Sequence, residues 1–278
     1  MDNVLISMTS IPGRARFLAQ TLKSLVTQTA GIPQIAIYLP EQYHRFSAQE
    51  VAEHRSTIEG ITTPFKNISI HSVSRDLGPL TKMAYAVTDP KVKSEFQRVV
   101  FVDDDLIYSP QLLANFDGHP TNSCLSQSGN WLTTFSKHST NSHLAYGRAL
   151  KSRGWKYRLL RLKQKFFSRT AQKPSPHSSS GYTQLIEGWS GVSVDPNWFD
   201  EEILDIPANL FNADDVWISG YLEFKKIGIY VPSGCALPTD NGTSDVDALK
   251  SITDIKNSPS IVYRSAIEHC QQRWNIWR

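Results

Sequence analysis

The chain has 278 residues, of which 40% are hydrophobic, and its 29 Lys and Arg residues slightly outnumber its 26 Asp and Glu. These values suit one large domain or two small ones with a substantial core, and they exclude a collagen-like or low-complexity chain. Three separate cysteines without a CxxC pair, a short N-terminal apolar run and no stretch near the roughly 18 apolar residues of a membrane span lead us to expect a cytoplasmic protein.

The first half of the chain alternates between strand and helix patterns. The predicted strands are 3–8, 34–39, 67–73 and 98–102, and the predicted helices are 16–26, 47–58 and 80–87. Strands separated by helices favour parallel pairing, with helices covering both faces of the sheet. We therefore predict the α/β class, with a Rossmann-type, mostly parallel sheet flanked by helices. Ligands of such sheets lie beyond the carboxyl ends of the strands.

The second half is less regular, and no internal repeat is visible in it. Residues 173–182, rich in Ser and Pro, predict a mobile loop, and 186–194 predict a strand that contains two glycines. Residues 212–224 predict a helix with Asn212 as its N-cap, and 226–232 predict a short strand. We expect this half to be smaller in regular structure and more variable.

Three consecutive carboxylates, Asp103, Asp104 and Asp105, directly follow the apolar strand "VVFV" (99–102). Neighbouring like charges repel unless a cation neutralises them, and oxygen ligands favour Mg²⁺ or Mn²⁺. In an extended segment, Asp103 and Asp105 would project to the same side and could share one metal ion. The alternative is a solvated acidic turn or the N-cap of a helix.

Five segments occur in a defined order along the chain. They are "ISMTSIPGRARFLAQTLKSLVTQT" (6–29), "RDLGPLTKMAYAV" (75–87), "FVDDDLIYSPQLL" (101–113), "EGWSGVSV" (187–194) and "NADDVWISGYL" (212–222). Together they resemble motifs of nucleotide-sugar-dependent glycosyltransferases of the GT-A fold, in particular a bacterial, family-2-like group. The resemblance spans roughly residues 4–231, and the acidic segment resembles the metal-binding D-x-D motif of that family.

The resemblance implies a single GT-A-like domain over 1–278, in which 1–117 bind the nucleotide-sugar and 118–278 bind the acceptor. It implies a metal-dependent glycosyltransferase that uses Mn²⁺ or Mg²⁺. The donor would be a nucleoside-diphosphate sugar, with UDP the usual carrier in the family. The acceptor would be a glycan or a lipid-linked glycan of surface polysaccharide or lipopolysaccharide biosynthesis.

On the donor side, the resemblance implies that Asp105 and Asp103 hold the metal ion. Asp103 would also meet the ribose, and Asp104 would either point back toward the sheet or support the ligands.

Further donor contacts follow from the first two motifs. Thr9, Ser10 and Arg14 are implied to contact the nucleotide, and the planar guanidinium of Arg14 suits a phosphate or a uracil carbonyl. Asp76 would bond the base or ribose, and Lys82 would pair with a phosphate. The alternatives are a solvated loop arginine, a surface turn at Asp76 and a solvated lysine.

On the acceptor side, the resemblance implies that Asp215 is the general base and that Asp214 orients the acceptor. A base opposite the leaving group means inversion at the anomeric carbon. Alternatively, both aspartates only stabilise the dipole of the predicted helix. Gly188 and Trp189 are implied to meet the acceptor, with the indole stacking on a sugar ring or serving as packing. His269 is a candidate third metal ligand or a structural histidine.

A basic segment, 148–173, carries ten Lys or Arg residues and no acidic residue. It lies in a predicted insertion, 148–181. An apolar stripe within it is predicted from Trp155, Leu159, Leu162 and Phe166 at helical spacing. Basic amphipathic helices bind anionic membrane surfaces, so we expect peripheral contact with the inner face of the membrane. The alternatives are a helix packed on the domain and an RNA-binding patch, although we expect no nucleic-acid partner.

Two other classes of protein compete with this interpretation. A nucleotidyltransferase acting on sugar phosphates also joins an α/β sheet to an aspartate-bound Mg²⁺, but it usually has a Gly-rich phosphate loop. The segment "TSIPGRAR" (9–16) contains one glycine, which disfavours that class. A non-catalytic module that binds glycan or lipid would not need Asp103, Asp105 and Asp215 together.

Overall fold

The structure is a computed structural model that describes residues 3–135, 177–242 and 259–278, together with 149, 159, 162 and 173–175. Most of the basic segment 148–173 lies outside the described residues, so its membrane contact stays a prediction. None of the helices in the described part of the chain combines the length and the apolarity needed to cross a bilayer.

An eight-stranded sheet lies at the centre of the described structure. Its strands are β1 Val4–Met8, β2 Gln34–Pro40, β3 Ile68–Val73, β4 Arg98–Phe101, β5 Cys124–Ser126, β6 Gly181–Thr183, β7 Val192–Val194 and β8 Ile229–Val231. Their spatial order is β3-β2-β1-β4-β7-β5-β8-β6. The first four strands are parallel, β7 runs antiparallel to both of its neighbours, β5 and β8 are parallel, and β6 is antiparallel to β8. The predicted α/β class with a mainly parallel sheet is confirmed.

Six α-helices are described. They are α1 Ala15–Val26, α2 Ala48–Thr62, α3 Thr81–Thr88, α4 Pro90–Glu95, α5 Asp214–Phe224 and α6 Pro259–Trp274. The predicted helix 47–58 is confirmed as α2 and begins with a capping box, because Ser47 Oγ accepts the Glu50 N–H and the Glu50 carboxylate accepts the Ser47 N–H. Helix α4 was not predicted, although its signals are in the sequence: Asp89 caps it and Pro90 opens it.

Short elements complete the described fold. Two-residue strands pair Gly129–Asn130 with Leu185–Ile186, Leu106–Ile107 with Thr239–Asp240, and Lys173–Pro174 with Ala236–Leu237. The 3₁₀ helices are Gly78–Leu80, Ala114–Phe116, Leu132–Thr134, Gly188–Ser190, Pro196–Trp198, Glu201–Leu204 and Ala208–Leu210.

Both faces of the central strands are buried against helices. Along β1, Leu5 belongs to one apolar cluster, whereas Ile6 belongs to the cluster on the opposite face, with α1 residues such as Leu18. Along β4, Val99 and Val100 divide in the same way. This alternation explains why the strands are nearly continuous apolar runs, as in sheets covered on both faces.

The register of the sheet brings loops that are distant in sequence to the same end of the central strands. Ser7 of β1 lies opposite Phe101 of β4, so the parallel strands end side by side. Because β7 is antiparallel to β4, Val192 at its start lies opposite Phe101 as well. The segments after β1, after β4 and before β7 therefore meet at the carboxyl end of β4.

Three local predictions are wrong. Residues 186–194 do not form one strand, because a 3₁₀ turn at Gly188–Ser190 and a positive φ of 94° at Gly191 interrupt it. Asn212 is not the N-cap of α5. The 3₁₀ helix Ala208–Leu210 continues into a turn at 211–212. The N-cap of α5 is therefore Ala213, one residue later than predicted. The predicted loop 173–182 contains Lys173–Pro174 and part of β6, which are paired strands.

Helices α5 and α6 approach closely at a glycine. A Cβ atom at Gly220 would lie 2.8 Å from Cys270 Sγ and 3.0 Å from the indole of Trp274. Only a residue without a side chain fits this contact. The helix α6 is therefore held against α5, and α5 carries the aspartate pair at its start.

We expect Gly220→Ala to destabilise the protein by about 1–3 kcal/mol, because overpacking outweighs the gain in helix propensity of about 0.5–1 kcal/mol. Gly60→Ala in α2 is the matched control, since no described atom lies within 4 Å of the new methyl group. It should stabilise the protein by up to about 1 kcal/mol. Denaturant unfolding measures both effects, and stabilisation by Gly220→Ala would contradict the tight contact between the helices.

Candidate functional site

The three acidic residues after β4 form a turn rather than the predicted extended segment, with the turn at Asp104 and Asp105. Their side chains therefore face different surroundings. The side chains of Asp103 and Asp105 remain 28% and 25% exposed, whereas that of Asp104 is 7% exposed. The outer two carboxylates are therefore partly exposed beyond the end of β4, and the middle one is buried.

Asp104 holds the acidic turn against the loop that follows β1. Its Oδ2 accepts a hydrogen bond from Ser10 Oγ at 2.6 Å, and its Oδ1 accepts one from Arg14 Nη1 at 3.0 Å. Its backbone carbonyl accepts from Thr21 Oγ1 at 2.9 Å. Ser10 and Asp104 thus stabilise the shape of the site, and their contact with a nucleotide stays a prediction.

Arg14 balances part of the acidic charge. Its Nη1 lies 3.0 Å from an Asp104 oxygen and 3.1 Å from Asp105 Oδ2. Burial lowers the pKa of Arg14, but the attraction of Asp104 and Asp105 outweighs burial and raises it. For Asp105 itself, burial and the repulsion of Asp103 and Asp104 raise the pKa to about 7. The turn is therefore a place where a further cation would be stabilised.

Lys82 of α3 joins the acidic turn to the aspartate pair of α5. Its Nζ lies 2.7 Å from Asp103 Oδ1 and 3.1 Å from Asp214 Oδ2, and its side chain is 4% exposed. Burial lowers the pKa of Lys82, but the attraction of Asp103, Asp214 and Asp215 outweighs it and raises the pKa. The side chain is therefore an ammonium ion in the folded protein.

Asp215 is held by two hydrogen bonds from different elements. Its Oδ1 accepts the Gly188 N–H at 2.9 Å, and its Oδ2 accepts the hydroxyl of Tyr263 on α6 at 3.3 Å. Burial, followed by the repulsion of Asp214, raises the pKa of Asp215 well above its ordinary value. The role of Asp215 as a general base stays a prediction.

Helix α5 is hydrogen-bonded to the short strand Leu185–Ile186, which precedes Gly188. Ser219 Oγ donates to the Asp215 carbonyl at 2.6 Å and accepts the Ile186 N–H at 3.0 Å. A Cβ atom at position 188 would lie 2.6 Å from Asp215 Oδ1 and 3.2 Å from Lys82 Nζ. A side chain at position 188 would therefore force the charged end of Asp215 to move and would crowd that of Lys82.

Two residues that sequence reasoning did not assign connect the site further. The buried Tyr108 hydroxyl accepts the Asp103 N–H at 2.8 Å and donates to the Trp189 carbonyl at 2.9 Å. The Glu187 carboxylate accepts hydrogen bonds from Ser128 Oγ and, at 2.8 Å, from Asn130 Nδ2. Both Tyr108 and Glu187 lie within the quoted motifs, but nothing in the sequence indicated their partners.

Three further predicted residues form hydrogen bonds with groups outside the acidic turn, namely Thr9, Asp76 and Trp189. Thr9 Oγ1 donates to the Tyr38 carbonyl at 2.8 Å, and Asp76 Oδ1 accepts the Gly78 N–H at 2.8 Å. The roles of Thr9 and Asp76 toward a nucleotide stay predictions. Trp189 is half-buried, with its carbonyl bound by Tyr108.

His269 packs against an aromatic ring of the core. The centroid of its imidazole lies 6.1 Å from that of Trp217. Within the described residues, no group of three or more His, Cys, Asp or Glu side chains is arranged to hold a metal ion. The metal role considered for His269 stays a prediction and gains no contact to support it.

The acidic turn suits Mg²⁺ or Mn²⁺ by its donor chemistry. Carboxylate oxygens are the hard ligands that these ions prefer, and Asp103 and Asp105 keep part of their surface open. Burial and the repulsion of Asp103 and Asp104 raise the pKa of Asp105 to about 7, and a bound cation would relieve that repulsion. Asp103 and Asp105 would hold the ion.

No protein-family model matches the chain, and no curated protein matches it. Solved structures with a similar backbone include S. aureus TarS 1-349, which is 15% identical with a TM-score of 0.43 over 87% of this chain and 61% of that chain. This chain thus spans less than two thirds of that neighbour.

Two further structures have a similar backbone. Glucosyl-3-phosphoglycerate synthase from Mycobacterium tuberculosis, in complex with Mn²⁺, UDP and phosphoglyceric acid, is 7% identical with a TM-score of 0.48 over 99% of this chain and 79% of that chain. The galactosyltransferase LgtC, with donor and acceptor sugar analogues, is 13% identical with a TM-score of 0.31 over 49% of each chain. Similarity this distant concerns the course of the backbone.

The raised pKa of Asp105 predicts a pH-dependent stability of the metal-free protein. Its pKa of about 7 in the folded state exceeds its ordinary value of 3.8, so the folded protein binds this proton more strongly than the unfolded chain. The contribution of Asp105 to stability therefore falls as the pH rises from about 4 to about 7. With a chelator present, Asp105→Asn should raise the melting temperature at about pH 7.5 and much less at about pH 5.

The matched control is Asp205→Asn, which alters an aspartate side chain that is 61% exposed. We expect no comparable dependence on pH for this variant. A melting temperature of Asp105→Asn at or below that of the unaltered protein at the higher pH would show that Asp105 is not destabilised by its neighbours.

Proposed function

We propose that this protein is a metal-dependent glycosyltransferase of the GT-A type. It moves a sugar from a nucleoside-diphosphate donor, with UDP as the expected carrier, to a hydroxyl of a glycan or lipid-linked glycan in surface polysaccharide biosynthesis. One observation carries the proposal: the Lys82 ammonium contacts both Asp103, after β4, and Asp214, at the start of α5. The site thus places the carboxylates suited to a donor-bound metal next to those suited to deprotonating an acceptor.

The position in the sheet supports a binding crevice. The order of the parallel strands switches sides between β1 and β4, and the acidic turn lies at the carboxyl end of β4. Open α/β sheets bind ligands outside the carboxyl ends of their strands, where neighbouring connections diverge. The loop after β1 borders the same crevice through Ser10 and Arg14.

On the donor side, Asp105 and Asp103 would hold the divalent ion. When bound, the ion offsets the negative charge that develops on the departing diphosphate. Arg14 pairs with Asp104 and Asp105 in the unliganded protein, and we propose that it turns to a phosphate or the base when the donor binds. Thr9 and Asp76 complete the proposed nucleotide contacts.

On the acceptor side, Asp215 removes the proton from the attacking hydroxyl. The Gly188 N–H and the Tyr263 hydroxyl hold one carboxylate oxygen each, which fixes the direction of the group. Asp214 orients the acceptor, and the half-buried Trp189 offers an indole face for the C–H side of a sugar ring. Attack from the side of Asp215, opposite the leaving diphosphate, gives inversion.

The donor assignment predicts nucleotide binding that requires a metal ion. In a thermal-shift series with UDP, GDP, CMP and dTDP, one nucleotide should raise the melting temperature by about 5 °C at saturation, and only with Mn²⁺ or Mg²⁺. Asp105→Ala should abolish this shift and leave the protein folded, because it removes a metal ligand. Asp205→Asn, on the exposed surface, should keep the shift. Absence of a shift with every nucleotide and both ions would refute the donor site.

The base assignment predicts a loss of turnover without a loss of donor binding. Asp215→Asn should lower kcat for sugar transfer by about 100- to 10,000-fold, since the amide cannot accept the proton. Release of the nucleoside diphosphate in the presence of mono- and disaccharide acceptors measures the rate, and the thermal shift reports donor binding. Turnover within a few-fold of that of the unaltered protein would exclude Asp215 as the base.

A further inference from the structure

The Lys82 ammonium is enclosed by groups of the protein itself. Asp103 Oδ1 lies 2.7 Å and Asp214 Oδ2 lies 3.1 Å from its Nζ. A Cβ atom at Gly188 would lie 3.2 Å away, and the ring of Phe101 is centred 6.0 Å away. With a side chain that is 4% exposed, the ammonium group would have to leave an ion pair to meet a phosphate.

The two partners of Lys82 belong to the proposed donor side and the proposed acceptor side of the site. Asp103 belongs to the turn that would hold the metal ion and the donor, and Asp214 opens the helix whose next residue is the proposed base. Sequence reasoning assigned Lys82 to a donor phosphate. The contacts instead favour a role between the donor and acceptor sides.

We propose that Lys82 is a positioning residue that fixes the carboxylates of Asp103 and Asp214 relative to each other and thereby sets the distance between the donor and the base. The role in turnover rests on the proposed function. The ionic connection itself does not, because it is a property of the folded chain.

Charge explains why this connection is strong. Asp103, Asp214 and Asp215 all attract the ammonium group in a largely buried setting. Removing one member of a buried ion pair leaves the other charge desolvated and unpaired, which is far more destabilising than losing an exposed pair. Neutralising Lys82 should therefore disturb both of its partners together.

An uncharged hydrogen-bonded connection also joins Asp103 to the segment before β7. The Tyr108 hydroxyl links the Asp103 N–H to the Trp189 carbonyl, at 2.8 and 2.9 Å. Tyr108→Phe removes this link and keeps the ring in the core. It is the matched variant that separates the loss of a polar bridge from the loss of the positive charge of Lys82.

The first experiment is a double-mutant cycle measured by denaturant unfolding of the metal-free protein. Lys82→Met keeps the side-chain length without the charge, and Asp214→Asn removes one partner. We expect the two changes to be coupled by about tenfold or more in the unfolding equilibrium constant, so that the double variant is more stable than the sum of the single effects predicts. Additive effects would overturn the proposal.

The exposed pair Lys225 and Asp200, 2.9 Å apart, is the control cycle. Its coupling should not exceed about fivefold, because water screens exposed ion pairs. If Lys82→Met alone does not fold, recovery of a folded double variant is the expected result. A double variant that is no more stable than Lys82→Met counts against the ionic connection.

The second experiment separates positioning from phosphate binding. For Lys82→Met, we expect the affinity for UDP with Mn²⁺ to stay within about threefold, because the bound ion itself offsets the charge of Asp103. We expect kcat to fall by about 100-fold, as a displacement of about 1 Å would produce. Tyr108→Phe should lower kcat less. A loss of UDP affinity of about tenfold or more, as expected from removing a charged phosphate contact, would overturn the positioning role.

The two experiments also distinguish this inference from the proposed function. If the unaltered protein binds no nucleotide with Mn²⁺, the glycosyltransferase proposal fails. The unfolding cycle still decides whether Lys82 is coupled to Asp214. If nucleotide binding is present and the cycle is additive, only the inference about Lys82 fails.

Discussion

One buried ammonium group, that of Lys82, balances carboxylates that arrive from two distant parts of the chain. Asp103 follows β4, Asp214 and Asp215 open α5, and all three attract the same Nζ atom. Without a cation between them, these carboxylates would repel each other and take up protons. The backbone at Gly188 lies close to these charged groups, because glycine has no side chain that would collide with Asp215 or crowd the Lys82 ammonium group.

The sheet makes that centre possible. Parallel β1 and β4 end side by side, and β7 begins at the same edge because it runs in the opposite direction. Loops far apart in sequence are thereby brought within hydrogen-bond distance, as the bonds of Asp104 to Ser10 and of Asp215 to Gly188 show. Rigid strands and helices position these side chains, which suits a site whose chemistry requires fixed distances between a leaving group and a base.

Prediction from the sequence succeeded where local pattern and tertiary structure agree. The first four strands and α1 to α3 have strong periodicity, and the capping box of α2 has a local cause. It failed where a distant contact decided the outcome. The 3₁₀ turn at Gly188–Ser190 follows from the approach to Asp215, and the start of α5 follows from the turn before it rather than from Asn212.

The sequence by itself determined the α/β class, the buried strands and the position of three carboxylates at a strand end, because periodicity and charge are local properties. Only the tertiary structure decided which cation meets which acid: Arg14 faces Asp104 and Asp105, and Lys82 joins Asp103 to Asp214. It alone brought Tyr263 of α6 to Asp215. Such pairings depend on strand order and helix packing, which link residues that are 21 to 90 positions apart in these hydrogen bonds and leave no spacing that a sequence pattern can show.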